Sequence, residues 1–416
     1  MPNVPIDQST EVQINTPEEL PLMGLAVLMT MACSGTPLTE LANQFIERLK
    51  HNPHDANALM DLAVISHLWF KHDIGLATQA RALQVRRLYH LPARGAAKIR
   101  LLALLHHGDL AANTPLEFLV QGSDIALDML YLDPAQDLPT DLPQHDVLFI
   151  AVGESERSHV LLKLIEQKMQ HWNRPVLNRP ERIDRLSRES VCLMLKGLPG
   201  IEMPVTARIA NADFARLGKQ TLTLTQVLAG DGYPTIVRPV DSHAGHGLAK
   251  IDGPTQIAHY LQTRPEHTFS ISRFVDYRSP DGLYRKCRIV LVDGQAYAGH
   301  MAISEHWMIH YLNAQMSDSQ QKRDEEAAFM QHFDTDFGAR HRQALQAIHQ
   351  AAGLDYLVID CAEMPDGRLL VFEIDSAAVI HAMDSAQLFP YKEAQTKKIF
   401  SAFHAMLEKA LAAASA

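Results

Sequence analysis

The chain reads Tyr356-Leu-Val-Ile-Asp360-Cys-Ala-Glu-Met-Pro-Asp366-Gly-Arg-Leu-Leu-Val-Phe-Glu373-Ile-Asp375 towards its C-terminal end, with an apolar run on each side of a turn. Asp-Gly between two such runs predicts a β-hairpin. A symmetric turn centred between Asp366 and Gly367 places Asp360 directly opposite Glu373. Asp375 lies on the face of Glu373, because strand side chains repeat every two residues. The sequence therefore predicts that three carboxylates meet on one face of the hairpin.

Like charges directly opposite each other destabilise a β-ladder, so three acids on one face call for a bound cation. Oxygen ligands of this kind suit Mg²⁺, most naturally Mg²⁺ that carries phosphate groups. We therefore predict a metal site at Asp360, Glu373 and Asp375. The alternative is that these acids form salt bridges with nearby bases such as Arg368 or Lys392.

The composition is that of an ordinary globular protein. The 416 residues are 47% apolar and 21% charged, with a formal net charge of -10. An acidic chain without blocks of basic residues predicts neither nucleic-acid binding nor attachment to an anionic membrane. The four cysteines are far apart and form no CxxC pair, which predicts reduced thiols and a cytoplasmic protein. They are Cys33, Cys192, Cys287 and Cys361.

The first third of the chain is expected to be helical. After an N-terminal segment, 1–36, whose apolar part Leu20–Ala32 reads as buried, apolar residues recur at helical spacing. We expect an all-α domain at 37–132. Its predicted helices include Ala56–Phe70, Ile74–Tyr89 and Ala96–His106. The stretch after Asn52-Pro53 resembles one degenerate tetratricopeptide unit, and the alternative is a plain helical domain, since solenoids need about three repeats.

A linker rich in proline and acidic residues, Asp133–Pro143, predicts a domain boundary near residue 140. The apolar run Val147–Val152 then predicts a buried strand, and Ser155 can cap a helix that continues to about Met169. Strand, turn and helix in this order open an α/β domain, which we place at 140–205. Its turn contains one glycine, Gly153, and so lacks the fingerprint of a dinucleotide site.

A second hairpin carries glycines in its loop. The strands Tyr233–Arg238 and Leu248–Ile251 are joined by a loop that contains Gly245 and Gly247. Backbone N–H groups of such a loop can approach an anion, and Arg238 adds planar donors suited to phosphate. The alternative is a surface hairpin whose glycines serve only the turn.

The order of these parts resembles the ATP-grasp superfamily, in particular its carboxylate-amine ligases of the ribosomal-protein glutamate ligase and D-alanine-D-alanine ligase types. The resemblance covers roughly residue 146 to the C-terminus. It implies two α+β lobes, 206–275 and 276–416, that clamp a nucleotide, after the α/β domain and the helical region. The motifs that carry it are Asn178-Arg-Pro180, Ser187-Arg-Glu189, Gly200–Thr206, Ile236–Pro239 with its glycine loop, Ile271–Val275, Arg288–Gly294, Asp360 and Phe372–Asp375.

The resemblance implies ATP and Mg²⁺ as cofactors and transfer of the γ-phosphoryl group to a carboxylate, giving an acyl phosphate that an amine attacks. Arg288 and Arg238 would be catalytic, although Arg288 could alternatively serve only to pair one of the acids. Mg²⁺ would sit on Asp360, Glu373 and Asp375. The implied ATP-binding residues are Arg238, Asp241, Ser242, His243, Gly245, His246, Gly247 and the hinge Arg273, Phe274 and Val275.

Four positions depart from the family pattern. Arg238 stands in place of a lysine, Arg273 in place of a glutamate, Ser190 in place of a lysine and Asp375 in place of an asparagine. These changes keep two alternatives open. One is a nucleotide-binding regulatory or scaffold protein without ligase activity, and the other is a phosphotransferase that stops at a phosphorylated product.

Residues that recognise ligands are dense around 304–316, and the expected substrates are a small-molecule or peptide carboxylate and an amine. A zinc pair at His306 and His310 is disfavoured because the glutamate of HExxH is absent. The sequence is compatible with a protein partner at the helical region and with a homodimer. The candidate substrate residues are Arg285, His300, His306, His310, Tyr311 and Asn313.

Overall fold

The structure is a computed structural model that describes residues 20–139, 141–230, 232–242 and 245–415. Most of the predicted N-terminal segment and His243 of the glycine loop lie outside the described residues. The described part contains helices and three β-sheets, so the predicted mixed α/β architecture is confirmed. Among the described residues, no helix is both long enough and apolar enough to cross a lipid bilayer.

The helices differ widely in length. They are α1 Gly24–Cys33, α2 Thr39–His51, α3 Ala56–Leu68, α4 His72–Val85, α5 Leu116–Val120, α6 His159–Met169, α7 Pro180–Ile183, α8 Arg188–Leu195, α9 Asn211–Gly218, α10 Leu224–Val227, α11 Thr255–Thr263, α12 Gln320–Gln331, α13 Phe337–Arg340, α14 Arg342–Ala352 and α15 Lys392–Ser415.

The strands follow the same order along the chain. They are β1 Leu88–Leu91, β2 Ile99–His106, β3 Ile125–Leu132, β4 Val147–Ile150, β5 Val176–Leu177, β6 Ile201–Glu202, β7 Thr206–Ala210, β8 Thr235–Pro239, β9 Ala249–Ile251, β10 Thr268–Arg273, β11 Tyr284–Val292, β12 Gln295–Ser304, β13 Tyr356–Glu363 and β14 Leu369–Asp375.

The first sheet has the order β1-β3-β2-β4-β5, with β2 parallel to both β3 and β4. Strands from both sides of the predicted boundary near residue 140 therefore belong to one sheet. Only helices α1 to α4 precede this sheet. The predicted all-α domain at 37–132 is not confirmed, because residues from 88 onward supply three of the five strands.

The predicted helix Ala96–His106 is wrong, since Ile99–His106 forms the central strand β2. The residues Leu101–Leu104 are almost fully buried because β2 is covered on both faces of the sheet. A strand of this kind has a continuous apolar sequence, which periodicity cannot distinguish from a buried helix.

Helices α3 and α4 form the helix pair that was compared with a tetratricopeptide unit. Asp55 caps α3 by accepting a hydrogen bond from the Ala58 N–H. The pair is followed by strand β1 rather than by another helix pair, so a repeat architecture is not confirmed.

The second sheet has the order β7-β10-β8-β9 and is antiparallel. The third has the order β12-β11-β13-β14-β6. The hinge segment 273–275 follows β10 and leads towards the third sheet. A cleft lies between these two sheets, with the glycine loop between β8 and β9 at its edge.

Helix α15 joins the first and third sheets. Its Phe403 is fully buried and packs against Phe149 of β4 at 5.8 Å and Tyr356 of β13 at 5.7 Å between ring centroids. Because one side chain contacts both sheets, the floor of the cleft is anchored to the first sheet.

Candidate functional site

The hairpin β13–β14 brings Asp360 directly opposite Glu373, as predicted. The centre of the turn, however, differs from the predicted one. Near the turn Glu363 pairs with Leu369, so the turn is centred on Asp366, and Gly367 takes a left-handed conformation with φ +81°. The register then shifts between Asp360 and Cys361. A β-bulge of this kind inserts one residue and restores the predicted pairing.

Asp360 is held by two bases. Its carboxylate accepts hydrogen bonds from the Arg288 Nε at 2.8 Å and Nη2 at 3.0 Å, and the Lys286 Nζ lies 2.7 Å away. Burial would raise the pKa of Asp360, but Arg288 and Lys286 outweigh burial and hold that pKa well below its usual range. Asp360 is therefore ionised, and the neighbouring cations compensate its negative charge.

Glu373 is neutralised in the same way. Its carboxylate accepts a hydrogen bond from Arg188 and lies 3.9 Å from the Arg238 Nη1. Although burial opposes ionisation, these arginines lower the pKa of Glu373 to about 2. Both acids therefore form salt bridges, as the alternative to a metal site predicted. The predicted partners are wrong, because Arg368 binds Asp366 and Glu202, and Lys392 binds Asp384.

The third predicted ligand, Asp375, acts electrostatically on Arg288 together with the other two acids but has a hydrogen bond of its own. The Asp375 carboxylate accepts a hydrogen bond from the Ala377 N–H at 2.7 Å. Within the described ranges, no three His, Cys, Asp or Glu side chains are grouped so that they could hold a metal ion. The predicted convergence of three acids is therefore corrected to an opposed pair. Asp360 and Glu373 have the oxygen chemistry that Mg²⁺ prefers, and both are ion-paired with basic side chains in this structure.

The cleft has an apolar end. It is lined there by side chains from both sheets and from the loop after β12, with Trp307 packed edge-on against Phe274 at 5.7 Å between ring centroids. A flat, largely apolar group such as a purine base suits walls of this kind. The apolar lining residues are Met203, Ile236, Leu248, Phe274, Val275, Trp307 and Phe372.

The other end of the cleft is cationic. Arg188, Arg238, Lys286 and Arg288 line it together with the two acids, so four bases face two carboxylates. Burial, followed by repulsion from Arg188, lowers the pKa of Arg238 to about 9 from its ordinary 12.5. Burial is the larger cause of this shift, and repulsion from Arg188 exceeds attraction to Glu373, so an anionic ligand beside Arg238 would be stabilised.

The glycine loop closes against the far wall. Gly245 has φ +70°, and a methyl group there would overlap the ring of His310. Gly247 is buried and its carbonyl accepts a hydrogen bond from the Tyr260 hydroxyl at 2.7 Å. The remaining space in the cleft is about 220 Å³, less than the roughly 300–1,000 Å³ of typical ligand pockets. A nucleotide therefore requires the loop to move outward.

The other predicted loop residues lie around this contact. Ser242 accepts a hydrogen bond from the Arg238 Nε at 3.0 Å, which fixes the guanidinium. Asp241 accepts one from the Glu156 N–H at 2.9 Å and lines a smaller neighbouring cavity rather than the cleft. His246 is exposed and is not part of the cleft lining.

The predicted hinge lines the cleft with Arg273, Phe274 and Val275. The Arg273 N–H donates to the Val205 carbonyl at 3.4 Å, and the Phe274 N–H donates to the Pro234 carbonyl at 3.1 Å. These two amides already have acceptors within the protein. Arg273 itself forms an ion pair with Glu202.

The candidate substrate residues separate into three groups. His310 lines the cleft, and His300 lies directly opposite Arg288 on β12. Burial, reinforced by nearby cations, lowers the pKa of both imidazoles, and that of His300 falls well below its ordinary value. Tyr311 is engaged inside the lobe, where its hydroxyl donates to Glu326 at 2.8 Å.

The remaining candidates lie away from the cleft. His306 and Asn313 are exposed, and the Asn313 side chain accepts a hydrogen bond from the His310 N–H. Arg285 points to the opposite face of the third sheet, where it pairs with Asp281 and Glu325. Its assignment to the substrate site is therefore wrong in position, because adjacent strand residues face opposite ways.

Two basic residues that contact the acid pair, Lys286 and Arg188, were not among the predicted site residues. Lys286 carried a usable signal, because it lies two residues before Arg288 and must share its face of β11. Arg188 gave no such signal. It is the first residue of α8, and it reaches Glu373 only through the packing of that helix against β14.

Comparison with known proteins gives matches among solved structures. No protein-family model matches the chain, and no curated protein is similar in sequence. The structure is similar to that of D-alanine–D-alanine ligase from Bacillus anthracis complexed with ATP, at 12% identity and a TM-score of 0.45, covering 76% of this chain and 98% of that one.

Two further solved structures are similar to the same extent. The RimK domain ATP-grasp protein from Sphaerobacter thermophilus has 15% identity and a TM-score of 0.42, with 74% of this chain and 99% of that one covered. VanG D-Ala:D-Ser ligase from Enterococcus faecalis has 10% identity and a TM-score of 0.45, with coverage of 74% and 99%. Similarity at this level carries no argument about function, so the proposal below rests on the cleft.

Proposed function

We propose that the cleft between the second and third sheets binds ATP and that the protein is an ATP-dependent ligase. In this reaction the γ-phosphoryl group passes to a substrate carboxylate, giving ADP and an acyl phosphate. An amine then attacks the acyl carbon and phosphate leaves. The observation that carries the proposal is the lining of the cleft, where four bases, Arg188, Arg238, Lys286 and Arg288, outnumber the Asp360 and Glu373 carboxylates beside apolar side chains.

The basic side chains supply the charge stabilisation that phosphoryl transfer requires. Transfer places little covalent demand on the protein and depends on positioning and on neutralising charge on the transferred group. Arg238 and Arg288 present planar donors that match phosphate oxygens, and Lys286 adds a compact charge. In the proposed reaction Arg238 and Arg288 are the catalytic residues.

Entry of the nucleotide changes the partners of these bases. The phosphates compete with Asp360 and Glu373 for Arg188, Lys286 and Arg288, and each base that turns to a phosphate uncovers a carboxylate oxygen. Asp360 and Glu373 are then the residues that would hold Mg²⁺. When bound, the ion would neutralise charge on the phosphates.

The substitution Glu373→Gln tests this proposal. Loss of the carboxylate charge should abolish Mg²⁺-dependent ADP formation with a panel of carboxylates and amines. Glu408→Gln, an exposed position on α15, is the matched control and should keep wild-type turnover. ADP formation by the Glu373 variant at the wild-type rate would refute the ligase assignment.

A second candidate is a nucleotide-binding protein without ligase activity. Two observations favour it: Asp360 and Glu373 are ion-paired with basic side chains, and the hinge N–H groups of Arg273 and Phe274 already donate to carbonyl groups of the protein. Trapping with hydroxylamine separates the candidates, because an acyl phosphate yields a hydroxamate. Stabilisation by Mg²⁺-ATP without ADP or hydroxamate would support the second candidate, and ADP with a stable phosphorylated product would indicate a phosphotransferase.

A further inference from the structure

A cavity lies on the face of the third sheet that points away from the cleft. Its volume is about 660 Å³, within the range of roughly 300–1,000 Å³ that is typical of small-molecule sites. Strand β11 contributes side chains to both faces of the third sheet. Lys286 and Arg288 face the cleft, whereas Arg285 and Cys287 line this back cavity.

The wall of the back cavity is apolar and aromatic. Phe329 of α12 and Phe337 of α13 meet edge to face at 5.3 Å between ring centroids. Met301 of β12 and Met364 of the β13–β14 turn add flexible thioether side chains, which pack well against aromatic rings. Pro280 and Pro365 complete this wall. An aromatic or similarly flat body fits such a lining.

The rim of the back cavity is acidic. Arg285 is paired with Asp281 at 2.7 Å and with Glu325. Arg340 is paired with Asp336 and with Glu363, the latter at 2.7 Å.

The charged residues that line the cavity are Arg285, Arg340, Glu325, Asp336 and Glu363, so two arginines face three carboxylates and the rim carries a net negative charge. This is the opposite of the cleft, where bases outnumber acids.

We propose that the back cavity is a second ligand site that takes a small aromatic amine in its protonated form. The aromatic body would lie against Phe329 and Phe337, and the ammonium group would lie at the carboxylate rim. Attraction between a ring face and a cation also contributes, as Arg340 already shows at 5.9 Å from the Phe337 ring. This site is distinct from the proposed ATP cleft and does not depend on the ligase assignment.

The test compares two probes of similar shape and opposite charge, phenethylamine and 3-phenylpropionate, by isothermal titration calorimetry on the full chain. Phenethylamine should bind at least tenfold more tightly than 3-phenylpropionate. The reverse order, or equal affinities, would overturn the proposal. Binding in the cationic cleft would give the reverse order, so the charge preference alone tells the two locations apart.

A pair of variants locates the binding. Ala328 is an exposed residue of α12 that lines the cavity, and Ala328→Trp fills it without disturbing the buried face of the helix. This variant should lose phenethylamine affinity by at least tenfold. Gln331→Trp is the matched control, because Gln331 is exposed on the same helix and does not line the cavity. Unchanged affinity in the Ala328 variant would contradict the site.

Both tests are independent of the proposed function. ATP binding should be unchanged in Ala328→Trp, because the substitution lies on the far side of the third sheet. If phenethylamine binds as expected while no ADP is formed with any substrate pair, the back cavity stands and the ligase proposal fails. The opposite pattern would leave the ligase proposal intact and remove the second site.

Discussion

At the scale of single residues, the guanidinium of Arg238 is poorly compensated. Glu373 lies 3.9 Å from it and is already bonded to Arg188. Arg238 also donates to the Ser242 hydroxyl, which is neutral and so orients the guanidinium without compensating its charge. Bringing a phosphate to this position relieves repulsion between two arginines, so the interaction should be stronger than an exposed ion pair.

Arg238→Met should therefore weaken ATP binding by roughly 10- to 100-fold, since a hydrogen bond to a charged group contributes about 1.5–3 kcal/mol. Calorimetric titration with a non-hydrolysable ATP analogue measures the effect. Arg278→Met is the control, because Arg278 is exposed and pairs with Asp276. An affinity within threefold of wild type for the Arg238 variant would contradict the anion site.

The charge of Asp360 has a structural consequence as well. Asp360 is 2% exposed and neutralises both Arg288 and Lys286. Removing one partner of a buried pair leaves the other charge uncompensated, so Asp360→Asn should reduce the free energy of unfolding by roughly 3–5 kcal/mol. Urea denaturation without nucleotide measures this loss.

The control for this experiment is Asp366→Asn, because Asp366 pairs with Arg368 at an exposed turn. Exposed pairs contribute at most about 1 kcal/mol. Equal losses in the two variants would show that the buried pairing does not stabilise the fold.

At the scale of elements, the glycine loop is built for a close approach. Gly245 takes φ +70° and its Cα faces the ring of His310. A side chain there meets both a backbone penalty of about 1–2 kcal/mol and a steric overlap. The loop can close over the cleft only with glycine at this position.

Gly245→Ala should raise the affinity for the ATP analogue by roughly 5- to 30-fold, because the methyl group destabilises by about 1–2 kcal/mol the closed loop position that the nucleotide must displace. Gly253→Ala is the matched control, since Gly253 has open space around it. Equal affinities of the two variants for the analogue would show that the closed loop position does not oppose nucleotide binding.

Two acids from other helices lie against the start of α1: Asp61 of α3, which is buried, and Glu117 of α5, which is partly buried. Asp61 accepts hydrogen bonds from the Met23 and Gly24 N–H groups at 3.0 and 2.9 Å, and Glu117 accepts one from the Ala26 N–H at 3.0 Å. Burial raises the pKa of Asp61 to about 6 and that of Glu117 to about 7. Anions at a helix N-terminus are stabilising, yet burial outweighs that effect here.

The raised pKa values set the direction of the pH dependence. The folded state binds protons more tightly than the unfolded state, so this stability is fully present below pH 4.5 and is lost as pH rises to about 7. The unfolding free energy falls between pH 5 and 8, and Glu117→Gln should make this fall smaller by roughly 1–3 kcal/mol. Glu40→Gln, exposed in the first turn of α2, should leave the profile unchanged, and an unchanged profile for both would contradict the burial of Glu117.

Sequence reasoning was most successful where local rules decide the structure. The hairpin turn at Asp366-Gly367 follows from turn chemistry, but the pairing of Asp360 with Glu373 also needs the β-bulge beside Asp360, which was not predicted. The strand and the helix expected after the proline-rich linker are β4 and α6. Sequence reasoning failed at β2, whose apolar run is interpretable only with its neighbours β3 and β4. It also could not identify Arg188 as the base that binds Glu373, because the two residues are 185 positions apart in the chain.

At the scale of the whole molecule, the cleft is an assembly of distant parts. The second sheet supplies Arg238, the third supplies Lys286, Arg288 and the acid pair, and α8 supplies Arg188. Phe403 of α15 ties the third sheet to the first, so the cleft floor is a rigid base against which the glycine loop can move. Ligand binding is expected to change side-chain partners and loop position rather than the sheets.

The most direct measurement is a crystal structure of the protein with a non-hydrolysable ATP analogue and Mn²⁺, whose anomalous signal locates the metal in place of Mg²⁺. The account predicts phosphate oxygens within hydrogen-bond distance of Arg238 and Arg288, and the anomalous peak beside Asp360 and Glu373. It would be contradicted if the Arg288–Asp360 and Arg188–Glu373 pairs stayed intact at saturating analogue and the nucleotide lay outside the cleft.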